Sequence, residues 1–289
     1  MTTATGAPAV QSPARRAARL FFRSPAGVAG LVLTGLAVLC ALLAPLLAPY
    51  DPVAYLPADR MQGPSLRHPL GTDLYGRDLL SRVLYGGRIS LSVSVLSVGL
   101  ALLVGGVFGA LAGYHRGWVD TLIMRVSDVF LAFPAVLLAI ALLAFLGGGF
   151  WNLTLAVAVA FAAPFTRVVR AAVLRTRHAM FVEASGALGA TDARLLWRHV
   201  LPNAAGPILV EVTLRLAYAI LAEAALSFLG LGTQPPAPAW GQMIADGRPF
   251  LETNPWISIS PGLAIMFTVL GFNLFGDALR DALDPRLAR

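Results

Sequence analysis

Along the chain, apolar runs of roughly membrane-spanning length alternate with short clusters of arginine, proline, glycine and acidic residues. The runs cover residues 27–47, 89–112, 127–146, 153–165, 206–229 and 257–277. About twenty apolar residues suffice to cross ~30 Å of hydrocarbon. The pattern therefore predicts an all-α polytopic membrane protein with six transmembrane helices. The fourth run is short, but its flanking arginines can snorkel and let the helix continue. The first run has a basic front, Arg15, Arg16, Arg19 and Arg23, as a secretory leader does. It is nevertheless long enough to span, and it ends between Pro45 and Pro49 instead of at a small-residue cleavage site. It is read as an uncleaved span. Residues 1–26 become an N-terminal tail whose first fourteen residues lack periodicity and read as disordered. Residues 48–88 become an outer loop, 89–280 the core of the remaining five spans, and 281–289 a C-terminal tail. Trp118, Trp151 and Trp256 fall near predicted span ends, as an interfacial aromatic belt would place them.

Composition agrees with a lipid solvent. The 289 residues are 57% hydrophobic and only 13% charged, where a soluble domain would carry about a quarter charged residues. Every cationic side chain is arginine; the sequence contains no lysine. A Walker A loop needs its lysine to reach the nucleotide phosphates, so an ATP-driven role requires an ATPase on another chain. The single Cys40 excludes an internal disulfide and reads as a small buried hydrophobe. The sequence pI near 10.5 reflects arginines at the edges of apolar runs, which points to membrane topology and away from nucleic acid. With the N-terminus inside, fifteen arginines fall on the inner side and six on the outer, with Arg215 left in the membrane. The positive-inside rule then places both termini in the cytoplasm.

Several features within this frame carry candidate chemistry. The fifth span contains Glu211, Arg215 and Glu223, and ionisable groups at mid-membrane cost at least ~2.5 kcal/mol each. Glu211 and Arg215 share a helix face at four-residue spacing and can pair. One reading makes the three residues a polar translocation path. The other makes them a self-neutralised pair, with Glu223 bonded to a neighbouring helix. Gly105 and Gly109 in the second span form a G-x-x-x-G that permits close helix packing. In the outer loop, the turn-rich stretch 68–78 leads into residues 79–85, a short amphipathic pattern with Leu80, Val83 and Leu84 on one side. It reads as an interfacial elbow or as part of a docking surface. The four histidines are scattered without ligand spacing, and no catalytic constellation is evident.

The longest inner segment holds a cytoplasmic coupling loop at 170–203, within which residues 181–203 predict a helical hairpin. Glu183, Ala184, Ser185 and the small residues after them form a helix that Gly189 can end in the left-handed conformation. Thr191 can cap a second helix with Asp192 in its first turn. Leu195, Leu196, His199 and Val200 line one side, and Pro202 is expected to stop it.

Read as a pattern, Glu183-Ala184-Ser185, Gly189 and Leu201-Pro202 resemble the EAA motif of binding-protein-dependent ABC importer permeases. That motif is Glu-Ala-Ala, three residues, Gly, nine residues, Ile, any residue, Leu-Pro; here Ser185 and His199 depart from it. The stretch 68–91, Leu131-Ala132-Phe133-Pro134 and the stretch 223–241 look like signatures of oligopeptide and dipeptide permeases. The resemblance spans nearly the whole chain beyond the N-terminal tail. It implies a type I ABC importer permease fold with a cytoplasmic coupling helix in a bacterial cell membrane. The hairpin would dock on two cytosolic ATPase subunits, which bind the ATP and magnesium; this chain would hold no cofactor. A homologous second permease would complete a heterodimeric pore, and an extracytoplasmic binding protein would deliver di- or oligopeptides. Nickel and glutathione importers share these signatures. A proton-coupled carrier using Glu211 or Glu223, and a membrane scaffold without transport, are the rivals from other classes.

Overall fold

The computed structural model describes residues 13–115 and 117–283. The expectations for residues 1–12, Arg116 and 284–289, with Arg286 and Arg289, lie outside the described residues. Among the described residues the fold is built from helices, with one isolated bridge between Thr72 and Asp78.

Where a tail was expected, helix α1 runs Pro13–Arg23, because Ala17, Leu20 and Phe21 give it an apolar face. Ser24 then caps α2 (Pro25–Leu42), accepting from Gly27 N at 3.2 Å. A single turn, α3 (Ala44–Leu47), leads into the loop of residues 48–78. The transmembrane body follows as α4 (Leu79–His115), α5 (Gly117–Leu131), α6 (Ala135–Leu146) and α7 (Phe150–Arg177). Then come the short α8 (Met180–Ala187) and α9 (Asp192–Arg194), a π-helical segment (Leu195–Val200), α10 (Leu201–Phe228), α11 (Trp240–Gly247) and α12 (Trp256–Leu283).

The span count differs from the expected six. Among the described residues four helices, α2, α4, α7 and α12, are long and apolar enough to cross a membrane. The expected third span is a pair, α5 and α6, bent by 86° at residues 132–134. Pro134 explains the bend, since it disfavours helical backbone at Phe133 and has no N–H to donate. Counted as one span, the pair brings the total to five. The expected fifth span lies in α10, whose 28 residues suffice in length but whose Glu211, Arg215 and Glu223 lower its apolarity. The short fourth run does continue, as α7, through Arg167, Arg170, Arg175 and Arg177.

Helix α4 lies against α7 along a stripe of small residues at every fourth position: Ser97, Ala101, Gly105, Gly109 and Gly113, all buried. A Cβ at Gly109 would sit 2.6 Å from Thr166 O, and one at Gly113 2.8 Å from Arg170 O. Ser97 Oγ donates to Thr154 O at 2.9 Å in the same seam. The G-x-x-x-G pattern is thus one step of a longer stripe, and its partner is α7. Around it Val93, Val98, Leu153, Phe161, Phe165 and Leu226 form the main core. Helix α10 packs on α4, α7 and α12, and α2 flanks α12.

The loop between α3 and α4 is a polar knot. Asp78 caps α4, accepting from Ser81 N and Ser81 Oγ, each at 2.8 Å. Its other oxygen lies 2.9 Å from His68 Nδ1, and both side chains are fully buried. Asn254 Nδ2, from the turn before α12, donates to Gln62 O and Thr72 O. Residues 79–85 are no separate elbow but the first two turns of α4, with Leu79, Ser81 and Arg82 buried.

Candidate functional site

The hairpin starts where α7 ends. Helix α8 carries Glu183 in its first turn, where the helix dipole favours an anion. Ser185 Oγ donates back to Phe181 O at 2.8 Å and stays half-buried. The helix ends on a Schellman motif: Ala190 N donates to Ser185 O at 3.2 Å and Gly189 N to Gly186 O at 2.9 Å. Gly189 sits at φ +87° with nothing within 4 Å of an added Cβ. Backbone conformation, not space, therefore requires glycine there. Thr191 begins the second arm in extended conformation, but its side chain makes no cap bond. Asp192 instead turns to the body of the protein and accepts from Tyr114 Oη at 2.7 Å.

The second arm does not stop at Pro202. Proline deprives the preceding turn of one backbone donor and crowds the carbonyl four residues back. The chain accommodates it by widening to a π-helix over Leu195–Val200 and continuing as α10 with the proline in its first turn. Asn203 Nδ2 donates to His199 O at 2.6 Å, supplying a side-chain donor beside the proline. The site is thus a short helix, a glycine turn and the flared start of a long helix.

Leu195, Leu196 and Val200 are buried with Val182 against Ala110, Tyr114, Val169 and Val173 of α4 and α7. His199, expected on the same side, lies half-buried at its margin. Glu183, Ala184, Gly189 and Pro202 are exposed, and Leu201 is half-buried. Around them stand exposed apolar side chains: Met180 at 85%, Leu188 at 90% and Trp197 at 68%. Exposed apolar side chains set among the charges of Glu183, Arg194 and Arg198, fixed from behind by a packed core, are suited to docking against another protein.

Sequence spacing gave no sign of how the hairpin is anchored. Tyr114 closes α4, bonds Asp192, and carries Arg177 of α7 over its ring at 5.0 Å. Arg177 also donates to Tyr114 O. Nearby, Arg170 meets Asp120 in a bidentate pair, with Nη2–Oδ2 at 2.6 Å, and Arg167 meets Asp128 at 2.6 Å. The residues involved lie far apart in sequence, so no local motif reports them.

The three charged residues of α10 do not form one cluster. Arg215 Nε donates to Glu211 Oε1 at 2.6 Å, and the guanidinium lies 5.6 Å from the Phe161 ring centre. Glu223 is fully buried, with Ser227 Oγ donating to Oε1 at 2.7 Å. Ser90 of α4 lies beside the same carboxyl, and its Oγ accepts from Trp240 N of α11.

Comparison with known proteins places the chain as a whole. The family model described as binding-protein-dependent transport system inner membrane component matches residues 105–289. The N-terminal transmembrane domain of oligopeptide transport permease C matches residues 12–64. The chain is 44% identical to the dipeptide transport system permease protein DppC of Alkalihalophilus pseudofirmus, covering 96% of this chain and 91% of that one. It is 44% identical to the glutathione transport system permease protein GsiD of Pectobacterium atrosepticum, covering 96% and 93%. Among solved structures, a chain of the MetNI methionine ABC transporter in an inward-facing conformation aligns with a TM-score of 0.59 at 19% identity. That alignment covers 70% of this chain and 96% of the other, and it extends the likeness to the fold.

Proposed function

The chain belongs to the family of binding-protein-dependent transport-system inner-membrane components, and from that premise we propose that it forms one half of a peptide-conducting pore driven from its hairpin. It is a permease subunit of an ABC transporter and not an enzyme. ATP and magnesium would bind on separate ATPase subunits, consistent with a chain that has no lysine for a phosphate loop. The observation that carries the reading is the exposed Glu183-to-Gly189 hairpin, seated on the ends of α4 and α7 by Val182, Leu195, Leu196 and Val200.

Closure of two ATPase subunits pushes on this knob, and the helices beneath it follow. The permease and a homologous partner then rock between states open to either side, which is population shift between two packed arrangements. An extracytoplasmic binding protein delivers the cargo. Short peptides are the favoured cargo, because the relatives compared are named for dipeptide and glutathione transport. A proton-coupled mechanism is less favoured, since Glu211 is neutralised by Arg215 and Glu223 is sealed from solvent.

The test is a pair of hairpin variants. Glu183→Arg and Gly189→Glu are expected to insert normally, lose the co-purifying ATPase subunits and abolish uptake. If both variants retain their ATPases at the wild-type ratio, the hairpin is not the docking element. A ligand screen on the cognate binding protein, with dipeptides, tripeptides and glutathione, settles the cargo.

A further inference from the structure

Helix α1 has no role in the reading above, yet its surface is the most strongly patterned in the protein. Arg15, Arg16, Arg19 and Arg23 fall within an arc of about 100° at 100° per residue, and all four are exposed. On the other side Phe21 is buried against Ala278 and Ala282, and its ring meets Phe275 edge-on at 5.2 Å. That contact pins α1 to the last turns of α12. Phe22, 63% exposed, sits at the edge of the arginine stripe.

The depth of α1 follows from its neighbour. Helix α2 has 18 residues, so it is only ~27 Å long against a hydrocarbon core of ~30 Å. Even with the turn of α3 (Ala44–Leu47) added the apolar segment is little longer than the core is thick, which places the first turn of α2 near one end of the span. Ser24 alone separates that turn from Arg23. Phe22 is followed on α2 by the exposed apolar residues Val28, Leu31 and Val32, so an apolar rim borders the basic stripe where lipid contact begins. Among the described residues at this end of α12, the exposed charged ones are Asp277, Arg280 and Asp281, fewer acids than the four arginines of α1.

We propose that α1 is an interfacial anchor that binds the headgroups of anionic phospholipids. A guanidinium presents a planar fork that matches phosphate bidentately, which an ammonium cannot do. An amphipathic helix with a basic face and an aromatic edge lies in the interface plane, and its attraction scales with the negative charge of the leaflet. An acidic protein would satisfy the arginines but would leave the Phe22 rim without a partner.

The test uses the full chain, assembled with its partner subunits and stripped of lipid in detergent. Native mass spectrometry follows retention of phosphatidylglycerol against phosphatidylcholine. The wild type is expected to retain phosphatidylglycerol at least tenfold better, with the preference shrinking as salt rises. The fourfold variant R15Q/R16Q/R19Q/R23Q should lower that preference to near unity, whereas Arg248→Gln, which removes an exposed arginine elsewhere, should leave it unchanged. If the fourfold variant fails to assemble, R15Q/R19Q and R16Q/R23Q are read separately, each expected to lose about threefold. The proposal is overturned if wild type holds both lipids equally, or if the variants keep phosphatidylglycerol as wild type does. It is also overturned if the variants lose a protein subunit while lipid retention is unchanged.

Discussion

The pair Glu211–Arg215 illustrates how far single residues can be read. Four-residue spacing on a helix says that two side chains can meet, and they do, at 2.6 Å. Their side chains are 14% and 25% exposed, so each charge depends on the other for most of its stabilisation. Removing one leaves the other uncompensated, which costs ~3–5 kcal/mol when burial is complete and roughly 2 kcal/mol after allowing for the exposure left here. Glu211→Ala should therefore lower the melting temperature of the detergent-solubilised protein, and Glu211→Ala with Arg215→Ala should recover most of the loss. A double variant as unstable as the single one would show that the two residues act separately. Glu223 follows a different logic. Ser227, one turn on in the same helix, donates to it, and Ser90 of α4 lies beside it; nothing in the spacing of the fifth apolar run identified Ser90 as a neighbour.

At the scale of elements, the α4–α7 seam makes the sharpest claim. Gly109 and Gly106 are close in sequence and on one helix, yet an added Cβ meets Thr166 O at 2.6 Å in the first case and only Leu102 Cδ1 at 3.9 Å in the second. A backbone carbonyl cannot retreat as a side chain can, so overpacking at Gly109 should cost ~1–3 kcal/mol or more. Gly109→Val is expected to lower both membrane yield and melting temperature, and Gly106→Val to leave them near wild type; equal effects would refute the seam. The seam was partly legible, because G-x-x-x-G announces close approach without naming the facing helix. Most apolar runs were legible too, since lipid imposes a minimum length. The 86° break between α5 and α6 was not: Leu131, Ala132 and Phe133 are all apolar, so hydropathy runs smoothly over Pro134. The π-helical passage through Pro202 was missed for the opposite reason. Proline reads as a stop, and only the carbonyl bond from Asn203 and the packing of Leu195, Leu196 and Val200 show how the helix survives it.

Across the whole molecule, α4 is the rod that joins two differently built ends. Its 37 residues make it ~55 Å long. At one end Asp78 caps it inside a buried polar knot, closed from the far side by Asn254 on Gln62 O and Thr72 O. At the other, Tyr114 ties it to the hairpin through one hydroxyl bond to Asp192, with Arg177 over the ring. On the proposed function such a difference suits a transporter pushed at one end: a stiff frame at the end away from the hairpin, and a light, directional contact where force would enter. Two substitutions separate these roles. Asn254→Ala abolishes two buried bonds and leaves two carbonyls without that donor, so it should destabilise the protein by ~1–3 kcal/mol. Hydrogen exchange should then rise across residues 59–78 and stay unchanged in the hairpin. Tyr114→Phe removes a single bond at a partly exposed carboxylate and should scarcely move the melting temperature. It should, however, cut uptake several-fold per ATP hydrolysed by the assembled transporter, because the push on α8 and α9 then reaches α4 only through apolar contact. The sites lie far beyond the ~10 Å within which substitutions usually couple, so their stability effects should add. If Tyr114→Phe transports at wild-type efficiency, the hydroxyl bond is ornamental and the buried face of the hairpin carries the force alone.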